Sequence, residues 1–295
     1  MSTPERLAAD FEAHRAHLRG VAYRMLGSVS EADDAVQEAW IRLHRSDVSG
    51  VENLRGWLTT VVARLCLDAL RSRTSRREEP LETHLPDPIV RALTRDEDGP
   101  EAEAIRADSV GLALLIVLER LDPDERLAFV LHDVFGVPFD EIAAIVDRSP
   151  AAARQLASRA RRRVHGEAPA PDADLRAQRR VVDAFLAAAK DGDFEGLVAV
   201  LHPDIVLRAD GGSVKGMSRL VRGAQEVASQ AAMFSKLELT NQLVLVNGSI
   251  GLVSRFPDGR VLSLMAFTIS GGRIAGMEIL ADPDRLARLD LPAVE

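Results

Sequence analysis

The spacing of apolar residues changes once along this 295-residue chain, and that change constrains the fold more than any other feature. In the first part, apolar side chains recur every three or four positions, which is the period of amphipathic helices. Further on, short apolar runs alternate with turn residues, which is typical of antiparallel strands. Acidic or proline-rich joints at 78–104 and 166–174 separate three blocks. We therefore predict two all-α blocks, 5–77 and 105–165, followed by an α+β block over 175–290.

The first block contains three predicted helices. Ser30-Glu31-Ala32-Asp33 has the composition of a helix start, so the second helix is expected to begin near Glu31. The third helix runs from about Leu54 to Arg73, and its opposite stripe carries an exposed Trp57 among arginines. Such a stripe suits single-stranded DNA, because aromatic rings stack on bases while cations follow the backbone. Ordinary helix packing gives the same pattern, so both interpretations stay open. The predicted core face is Leu58, Val61, Val62, Leu65 and Ala69.

The second block ends in a helix-turn-helix pattern. Asp122-Pro123 is suited to cap and start one helix, and Gly136 is expected to stop it after a buried face that includes Val134. After a short helix, Ser149-Pro150 starts a basic one, the element that a helix-turn-helix protein places in the major groove. Its outward face carries arginines and no acid, so DNA contact is favoured over a merely solvated face. The predicted contacts are Ser149, Arg154, Gln155, Ser158, Arg159 and Arg162; the inward set is Ala153, Leu156, Ala157, Ala160 and Val164.

The third block is predicted to be a sheet with two helices before it. The first helix buries Val182 and Phe185, and a shorter one ends at His202-Pro203. Turns then divide four apolar runs, which reads as an antiparallel meander ending near Leu280. The turns are Asn247-Gly248, Pro257-Asp258-Gly259 and Gly271-Gly272.

Charge and cysteine content narrow the function further. The net charge of -8 argues against a nucleic-acid partner only as an average, because the arginines are clustered at 71–77 and 154–163. Cys66 is the only cysteine, so no internal disulfide or cysteine-rich zinc site can form, and neither metal nor cofactor is expected. No apolar run is long enough to span a bilayer, and no leader opens the chain. We therefore expect a cytoplasmic protein without a membrane partner.

The order of these signals resembles the extracytoplasmic-function sigma factors of bacterial RNA polymerase. SEADDAVQEAWIRL resembles the segment of that family that grips the β′ clamp helices, and GWLTTVVARLCLDALRSRTSRR its promoter-melting helix. Residues 118–164 resemble the domain that reads the minus-35 element and meets the β flap. The resemblance implies a protein that binds core polymerase and promoter DNA and that acts as a monomer. It assigns polymerase docking to Asp33, Asp34, Gln37, Glu38 and Trp40, and minus-ten contact to Asn53, Arg55, Trp57, Thr60, Arg64 and Arg71.

The third block resembles the SnoaL-like extension of one group of these sigma factors, a cone of helices over a curved sheet. His84-Leu85-Pro86-Asp87-Pro88 is similar to that group's Trp-Leu-Pro-Glu-Pro linker, but His84 replaces the aromatic residue. Asp210-Gly211-Gly212 is similar to its Asp-Gly-Gly-Gly-Lys motif, but Ser213-Val214 separate the glycines from Lys215. The tail Asp282-Pro283-Asp284-Arg285-Leu286 is similar to that group's Asn-Pro-Asp-Lys-Leu. The resemblance implies that these three motifs mediate regulation in cis.

Other functions fit parts of the pattern. Cone folds can house enzymes, which would make Asp210 and His202 candidate bases, but a turn and a helix end are commoner roles for them. A small molecule bound in the cone is a further possibility, because such domains commonly enclose an apolar pocket. A one-component regulator that senses a ligand and binds DNA without polymerase remains the alternative function.

Overall fold

The computed structural model describes residues 4–48, 50–76, 82–93, 111–167, 171–214, 216–234 and 237–293. The chain divides into two compact units, one of Met1–Glu79 with Leu115–Glu167 and one of Pro80–Leu114 with Ala168–Glu295. Of the predicted joint 78–104, the described residues 82–93 therefore belong with the third block. None of the described helices combines the length and apolarity that crossing a bilayer requires.

The first unit opens with three packed helices. These are α1 (Pro4–Leu26), α2 (Val29–Arg45) and α3 (Leu54–Ser75). The prediction that α2 begins near Glu31 was wrong by two residues, because Ser28 already has the extended backbone of a residue that precedes a helix. Helix α3 begins where Asn53 Oδ1 accepts a hydrogen bond from the Gly56 amide at 2.9 Å.

The buried side of α3 differs from the predicted one. Val61, Leu65 and Ala69 are only partly buried, and Trp57 is half-buried rather than exposed. The reason is that α3 packs on two sides, against α1 and α2 and also against helices of the second block. A helix held from two directions buries a broader face than its amphipathic pattern indicates. The residues that are buried are Leu58, Thr59, Val62, Ala63, Cys66, Leu67 and Leu70.

The second helical block completes the first unit, which includes it from Leu115 onward. It consists of α4 (Leu112–Glu119), α5 (Pro123–Phe129), a π-helical turn (Val130–Val134), α6 (Phe139–Val146) and α7 (Pro150–Glu167). Pro123 occupies the first position of α5 as predicted, whereas the Asp122 side chain makes no capping bond. Val134 was predicted to be buried but is 36% exposed, because the π-helical turn rotates it off the buried stripe. The predicted inward residues of α7 are all buried.

The second unit is a seven-stranded sheet with three longer helices. Its elements are β1 (Val90–Ala92), α8 (Leu175–Asp191), α9 (Phe194–Val200), β2 (Leu201–Asp210), β3 (Arg219–Arg222), α10 (Ala224–Phe234), β4 (Thr240–Val246), β5 (Ser249–Arg255), β6 (Val261–Ser270), β7 (Arg273–Leu280) and the short α11 (Pro283–Leu286). The strand order is β1-β4-β5-β6-β7-β2-β3. The predicted meander is confirmed as β4 to β7, with turns at the three predicted positions.

The prediction that a helix ends at His202-Pro203 was wrong, because α9 ends at Val200 and both residues lie in β2. Strand β2 pairs in parallel with β7, and Pro203 falls where the register shifts between Leu201 and Val206. A proline has no N–H to donate, so such an irregular stretch accepts it. This pairing joins segments about 70 residues apart, which no local pattern can indicate.

The two faces of the sheet have different roles. Alternate residues such as Leu207, Ala209 and Met277 join α8, α9 and α10 in one continuous apolar cluster. Side chains alternate along a strand, so Arg208 and Glu278 lie on the opposite side, which we call the outer face. Leu85, Pro86 and Pro88 of the joint lie there, and the chain then continues into strand β1, which pairs with β4 at the edge of the sheet.

Candidate functional sites: polymerase, promoter and linker-docking surfaces

The predicted polymerase-docking residues share the solvent side of α2. Asp33, Asp34 and Gln37 are exposed, and Glu38 is partly exposed. Asp33 accepts a hydrogen bond from Arg19 Nε at 2.6 Å, and Glu38 accepts one from Arg42 Nε at 3.1 Å. These surface ion pairs are weak enough to be exchanged for a basic partner. The predicted role of α2 is therefore compatible with its geometry.

Trp40 differs from the acids on α2. Its ring packs 5.0 Å from the ring of Phe11 and 4.7 Å from that of His44, and the residue is half-buried. Such contacts fix the side chain and hold α1 against α2. The structure thus places Trp40 in packing contacts beside the acidic surface.

The predicted minus-ten residues of α3 are largely held by contacts within the first unit. Asn53 caps the helix, and Arg55 Nη2 donates to His17 Nδ1 at 3.0 Å. Arg64 donates to the Ala144 carbonyl at 3.3 Å. Thr60 is partly buried. Asn53 thus caps α3, and Arg55 links its first turn to α1. Arg64 contacts α6 of the second helical block.

Asp124 holds a further predicted minus-ten residue, and sequence reasoning did not single it out. Arg71 Nη2 donates to Asp124 Oδ1 at 2.8 Å, and Arg148 Nη2 donates to Oδ2 at 3.4 Å. The Asp124 side chain is 17% exposed. It lies in the first turn of α5, where a carboxylate interacts favourably with the helix dipole. Nothing in the local sequence indicated that it would bridge α3 and the turn before α7.

The predicted minus-35 residues lie on one side of α7. Ser149 Oγ accepts a hydrogen bond from the Ala152 amide at 3.2 Å and so starts the helix as predicted. Arg154, Gln155, Ser158 and Arg162 are exposed. The Arg154 guanidinium also lies 5.2 Å from the centre of the Phe139 ring. This face remains compatible with the predicted entry into a major groove.

Arg159 is engaged differently from its neighbours. Its Nε donates to Glu125 Oε1 at 2.7 Å, and Arg163 lies 3.4 Å from the other oxygen of the same carboxylate. Glu125 is buried in α5, so these ion pairs attach α7 to α5. Base reading by Arg159 therefore requires that it leave a carboxylate partner.

The second unit brings the linker, glycine and tail motifs together at one site. The Leu85 amide donates to Asp210 Oδ2 at 3.1 Å, and Arg285 Nη1 donates to the same oxygen at 2.7 Å. Arg285 Nη2 donates to the Leu85 carbonyl at 2.6 Å and to Asp87 Oδ1 at 3.1 Å. We call Asp210 and Arg285 the linker clamp. Between them they bind the backbone on both sides of one linker residue.

The tail and the glycines shape the linker clamp. Asp282 accepts hydrogen bonds from the Asp284 and Arg285 amides, which starts α11 and directs Arg285 toward the linker. Gly212 has φ +56, and a Cβ on it would lie 2.1 Å from Asp282 Oδ2. Only glycine fits this position without displacing Asp282. Lys215, also predicted here, lies outside the described residues.

The low pKa of Asp210 reflects strong stabilisation of its negative charge. Burial alone would raise it, but hydrogen bonds from His84 and from the amides of Gly212 and Leu85, with the charge of Arg285, lower the pKa to about 2. A general base works best with a pKa near the working pH. Asp210 is thus suited to hold the linker and poorly suited to abstract a proton. His202, the other candidate base, lies in β2, where its Nδ1 accepts from the Asp204 amide at 3.2 Å.

Two further contacts of the linker were missed by sequence reasoning. Asn247 Oδ1 accepts from the Ile89 amide at 3.0 Å, and the Asn247 amide donates to the Ile89 carbonyl at 2.9 Å. The sequence indicated Asn247 only as a turn residue, and that part is confirmed by its φ of +49. Beyond it, β1 pairs with β4 from Val90 opposite Val246 onward. The linker therefore extends the sheet by one strand.

Apolar side chains provide the rest of the linker contact. Leu85, Pro86 and Pro88 are buried on the outer face, where they line one narrow space together with Leu112 and side chains of the sheet. That space is too small for a water molecule. Its sheet residues are Val246, Leu264, Ala266, Glu278 and Leu280. Glu278 is the single acid among the described lining residues, and burial raises its pKa to about 7 although Arg208 opposes the shift.

Comparison with known protein families gives two matches. The family model for Sigma-70 region 2 matches residues 11–76, and that for Sigma-70 region 4 matches residues 112–164. Both lie on the helical blocks of the first unit.

Similar proteins cover almost the whole chain. The ECF RNA polymerase sigma factor SigJ of Mycobacterium tuberculosis is 41% identical over 94% of this chain and 92% of its own length. A probable ECF RNA polymerase sigma factor of the same species, SigI, is 35% identical over 97% of each chain. The crystal structure of M. tuberculosis SigJ superposes with a TM-score of 0.74 and 38% identity, covering 97% of this chain and all of that one. The chain therefore belongs to the extracytoplasmic-function RNA polymerase sigma factors, with two helical sigma domains and a SnoaL-like α+β domain after them.

Proposed function

We propose that this sigma factor is regulated in cis by docking of its own linker onto the C-terminal domain. The linker clamp is the observation that carries the proposal, because one aspartate and one arginine bind Leu85 on both its amide and its carbonyl. Charge-assisted hydrogen bonds of this kind are stronger than neutral ones. This segment is held again at Ile89 by Asn247 and at Val90–Ala92 by the pairing of β1 with β4. It therefore follows one defined path over the domain instead of sampling many.

The position of this segment along the chain gives the docking its consequence. It joins region 2, proposed to read the minus-ten element, to region 4, proposed to read the minus-35 element. A free linker lets the two regions adopt the separation that a promoter demands, whereas a docked one restricts it. Docked and free linkers then form a two-state equilibrium that any ligand, partner or promoter biases by its differential affinity.

The sigma activity itself is proposed to use the predicted surfaces. The acids of α2 bind the β′ clamp helices, region 4 contacts the β flap and the minus-35 element through α7, and α3 stabilises the open minus-ten strand. No covalent step is involved, because preferential binding of the single strand drives opening. The site of action is the cytoplasm, where polymerase works. The outer face of the sheet is occupied by the chain's own linker, which supports a monomer.

Contacts inside the first unit support a resting state in which the minus-ten residues are engaged. Asp124 accepts from Arg71, and the Ala144 carbonyl accepts from Arg64, so two predicted promoter contacts are bound to the region 4 block. A carboxylate oxygen is a fair substitute for a phosphate oxygen as an arginine partner. Promoter DNA must therefore displace these partners before α3 can follow a strand.

A buried arginine supports the view that this state opens readily. Arg126 is 3% exposed, and its Nε donates to the Arg24 carbonyl of α1 at 3.3 Å. Its Nη2 makes no hydrogen bond among the described residues. Burial lowers the pKa of Arg126 to about 10, since the charged form loses hydration. Returning this guanidinium to water regains that hydration and so offsets part of the packing lost on opening.

Run-off transcription tests the proposal. Full-length protein and a truncation after Arg163 are compared with core polymerase on the promoter upstream of the chain's own gene. We expect transcript yields that differ by at least about five-fold, the lower end of typical allosteric coupling. Core binding is measured in parallel, so that the difference can be assigned to the promoter step. Equal transcript yields at equal core binding contradict regulation by the extension, whereas no core binding by either form contradicts the sigma activity.

The other functions considered from sequence gain less support. A one-component regulator has no need of region 2, yet the region 2 family model matches residues 11–76. A ligand inside the cone would have to enter the apolar cluster between the sheet and helices α8 to α10. In that cluster the ring centres of Phe185 and Phe267 are already only 5.9 Å apart. An enzyme would need a base other than Asp210, whose carboxylate already accepts a hydrogen bond from Arg285.

A further inference from the structure

One buried carboxyl under the linker has no role in the contacts described so far. Glu278 is 2% exposed, and its Oε1 lies 3.7 Å from Arg208 Nη1, which is longer than a hydrogen bond. Its Oε2 accepts no hydrogen bond from any described residue. Buried carboxylates are normally paired and hydrogen-bonded, because an unsatisfied buried charge is strongly unfavourable. Glu278 therefore calls for a physical explanation.

The linker, together with Leu112 of α4, covers Glu278. Leu85, Pro86 and Pro88 line a narrow space with it, and no room is left there for a water molecule. The two prolines have no N–H to offer, and the Leu85 amide already donates to Asp210. The docked linker thus removes water from Glu278 without supplying a donor in return. An undocked linker would leave the same carboxyl open to solvent.

We propose that the linker dock is proton-sensitive: Glu278 holds a proton while the linker is docked and releases it when the linker leaves, so docking weakens as pH rises. This inference deepens the proposed function, because it names a condition that shifts the docking equilibrium. Proton uptake accompanies docking, since the neutral acid tolerates an apolar enclosure and the carboxylate does not.

The pH window follows from the pKa of Glu278. Burial raises that pKa from 4.5 to about 7 in the docked state, and Arg208 limits the rise. Because the pKa is higher in the docked state, protonation of Glu278 stabilises docking, and this stabilisation is complete below pH 4.5. It decreases as the pH rises toward about 7 and is absent above that pH. A pKa shift of this size can change the docking equilibrium constant by at most about 300-fold.

The neighbouring charged groups determine the control. Arg208 of β2 faces Glu278, and the narrow space offers no other titratable side chain among its described lining residues. Asp210 of the linker clamp lies two residue pairs further along β2 and β7, with Asp87 and His84 near the clamp. His84 Nδ1 is 3.5 Å from Asp210 Oδ2, so a protonated His84 would also favour docking. Both groups act in the same direction, and a substitution must separate them.

Hydrogen exchange on the full-length chain tests the proposal. Protection of the Leu85 and Ile89 amides is followed at about pH 5.5 and about pH 8 and corrected for intrinsic exchange rates. We expect wild-type protection to fall at least about ten-fold over this interval. The fall should vanish in Glu278→Gln and persist in His84→Gln. Unchanged protection in the β5–β6 pair shows that each variant keeps its fold.

Two results would overturn the inference. One is wild-type protection that does not change with pH, and the other is a fall that persists in Glu278→Gln but vanishes in His84→Gln. If Glu278→Gln does not fold, carboxyl NMR of the wild-type protein gives the answer. A glutamate carboxyl should titrate near neutrality and shift toward 4.5 in Arg285→Gln, which loosens the linker. If every glutamate titrates below about pH 5.5, the inference fails.

These readouts need neither polymerase nor promoter. If docking does not depend on pH but still alters transcription, the proposed regulation holds and the proton-sensitivity of docking fails. If docking depends on pH but has no effect on transcription, the proton-sensitivity holds and the proposed regulation fails.

Discussion

Replacing Arg285 by glutamine should release the linker while the rest of the second unit stays folded. Arg285 donates to Asp210, to the Leu85 carbonyl and to Asp87, and its side chain is 16% exposed. Glutamine is shorter and neutral, so it cannot make all three contacts. Losing a charge-assisted bond costs about 1.5–3 kcal/mol, and breaking a largely buried pair costs about 3–5 kcal/mol. Because Asp210 keeps its hydrogen bonds from backbone amides, we expect the lower part of this range, about 2–4 kcal/mol.

This loss corresponds to a docking equilibrium about 30- to 700-fold weaker, since 1.4 kcal/mol is a factor of ten. Hydrogen exchange of the Leu85 and Ile89 amides measures it directly, and run-off transcription shows whether it matters for the promoter step. Arg288→Gln is the matched control, because Arg288 is exposed on the same tail and its side chain donates to the Asp284 carbonyl at 3.0 Å, away from the linker clamp. Protection in Arg285→Gln that equals that of Arg288→Gln would refute the clamp as the main anchor.

Three further substitutions test separate contacts. Asp124→Asn should loosen α3 from the region 4 block by about 1 kcal/mol and strengthen binding of minus-ten single-stranded DNA, measured by fluorescence anisotropy; weaker binding would contradict the resting state. Asn247→Ala should lower exchange protection at Ile89 more than at Leu85, since it removes about 1 kcal/mol from one anchor only. Gly212→Ala should destabilise the second unit by about 1–3 kcal/mol in thermal melts, and an unchanged melt would show that Asp282 moves aside freely.

Local patterns predicted the elements whose partners are near in sequence. The turn at Asn247-Gly248 is correctly placed because both residues adopt a positive φ that few others tolerate. The helix-turn-helix is correctly placed because Gly136 ends one helix and the side-chain hydroxyl of Ser149 starts another by accepting from the Ala152 amide. Each of these signals acts within a few residues, so it survives in a single sequence.

Elements that depend on distant partners were missed or misjudged. Strand β2 was partly read as helix, since its partner β7 lies about 70 residues away. Strand β1 looked like part of a joint, because three residues form a strand only when β4 offers an edge. The exposure of Trp57 was overestimated because the second helical block packs on α3. The burial of a side chain depends on which distant elements pack against it, whereas the amphipathic spacing of a helix indicates only one packing face.

For the functional residues, sequence alone determined the class of protein and the three motifs of the linker site, because motif order and spacing are local properties. Tertiary structure decided what those motifs do to one another: it placed Asp210 and Arg285 on the two sides of Leu85 and enclosed Glu278 beneath the prolines. Hydrogen-bond geometry and desolvation depend on distances between atoms that are up to 200 residues apart in the chain. That is why the sequence alone did not indicate the long-range contacts of Asp124 and Asn247 or the burial of Glu278 under the linker.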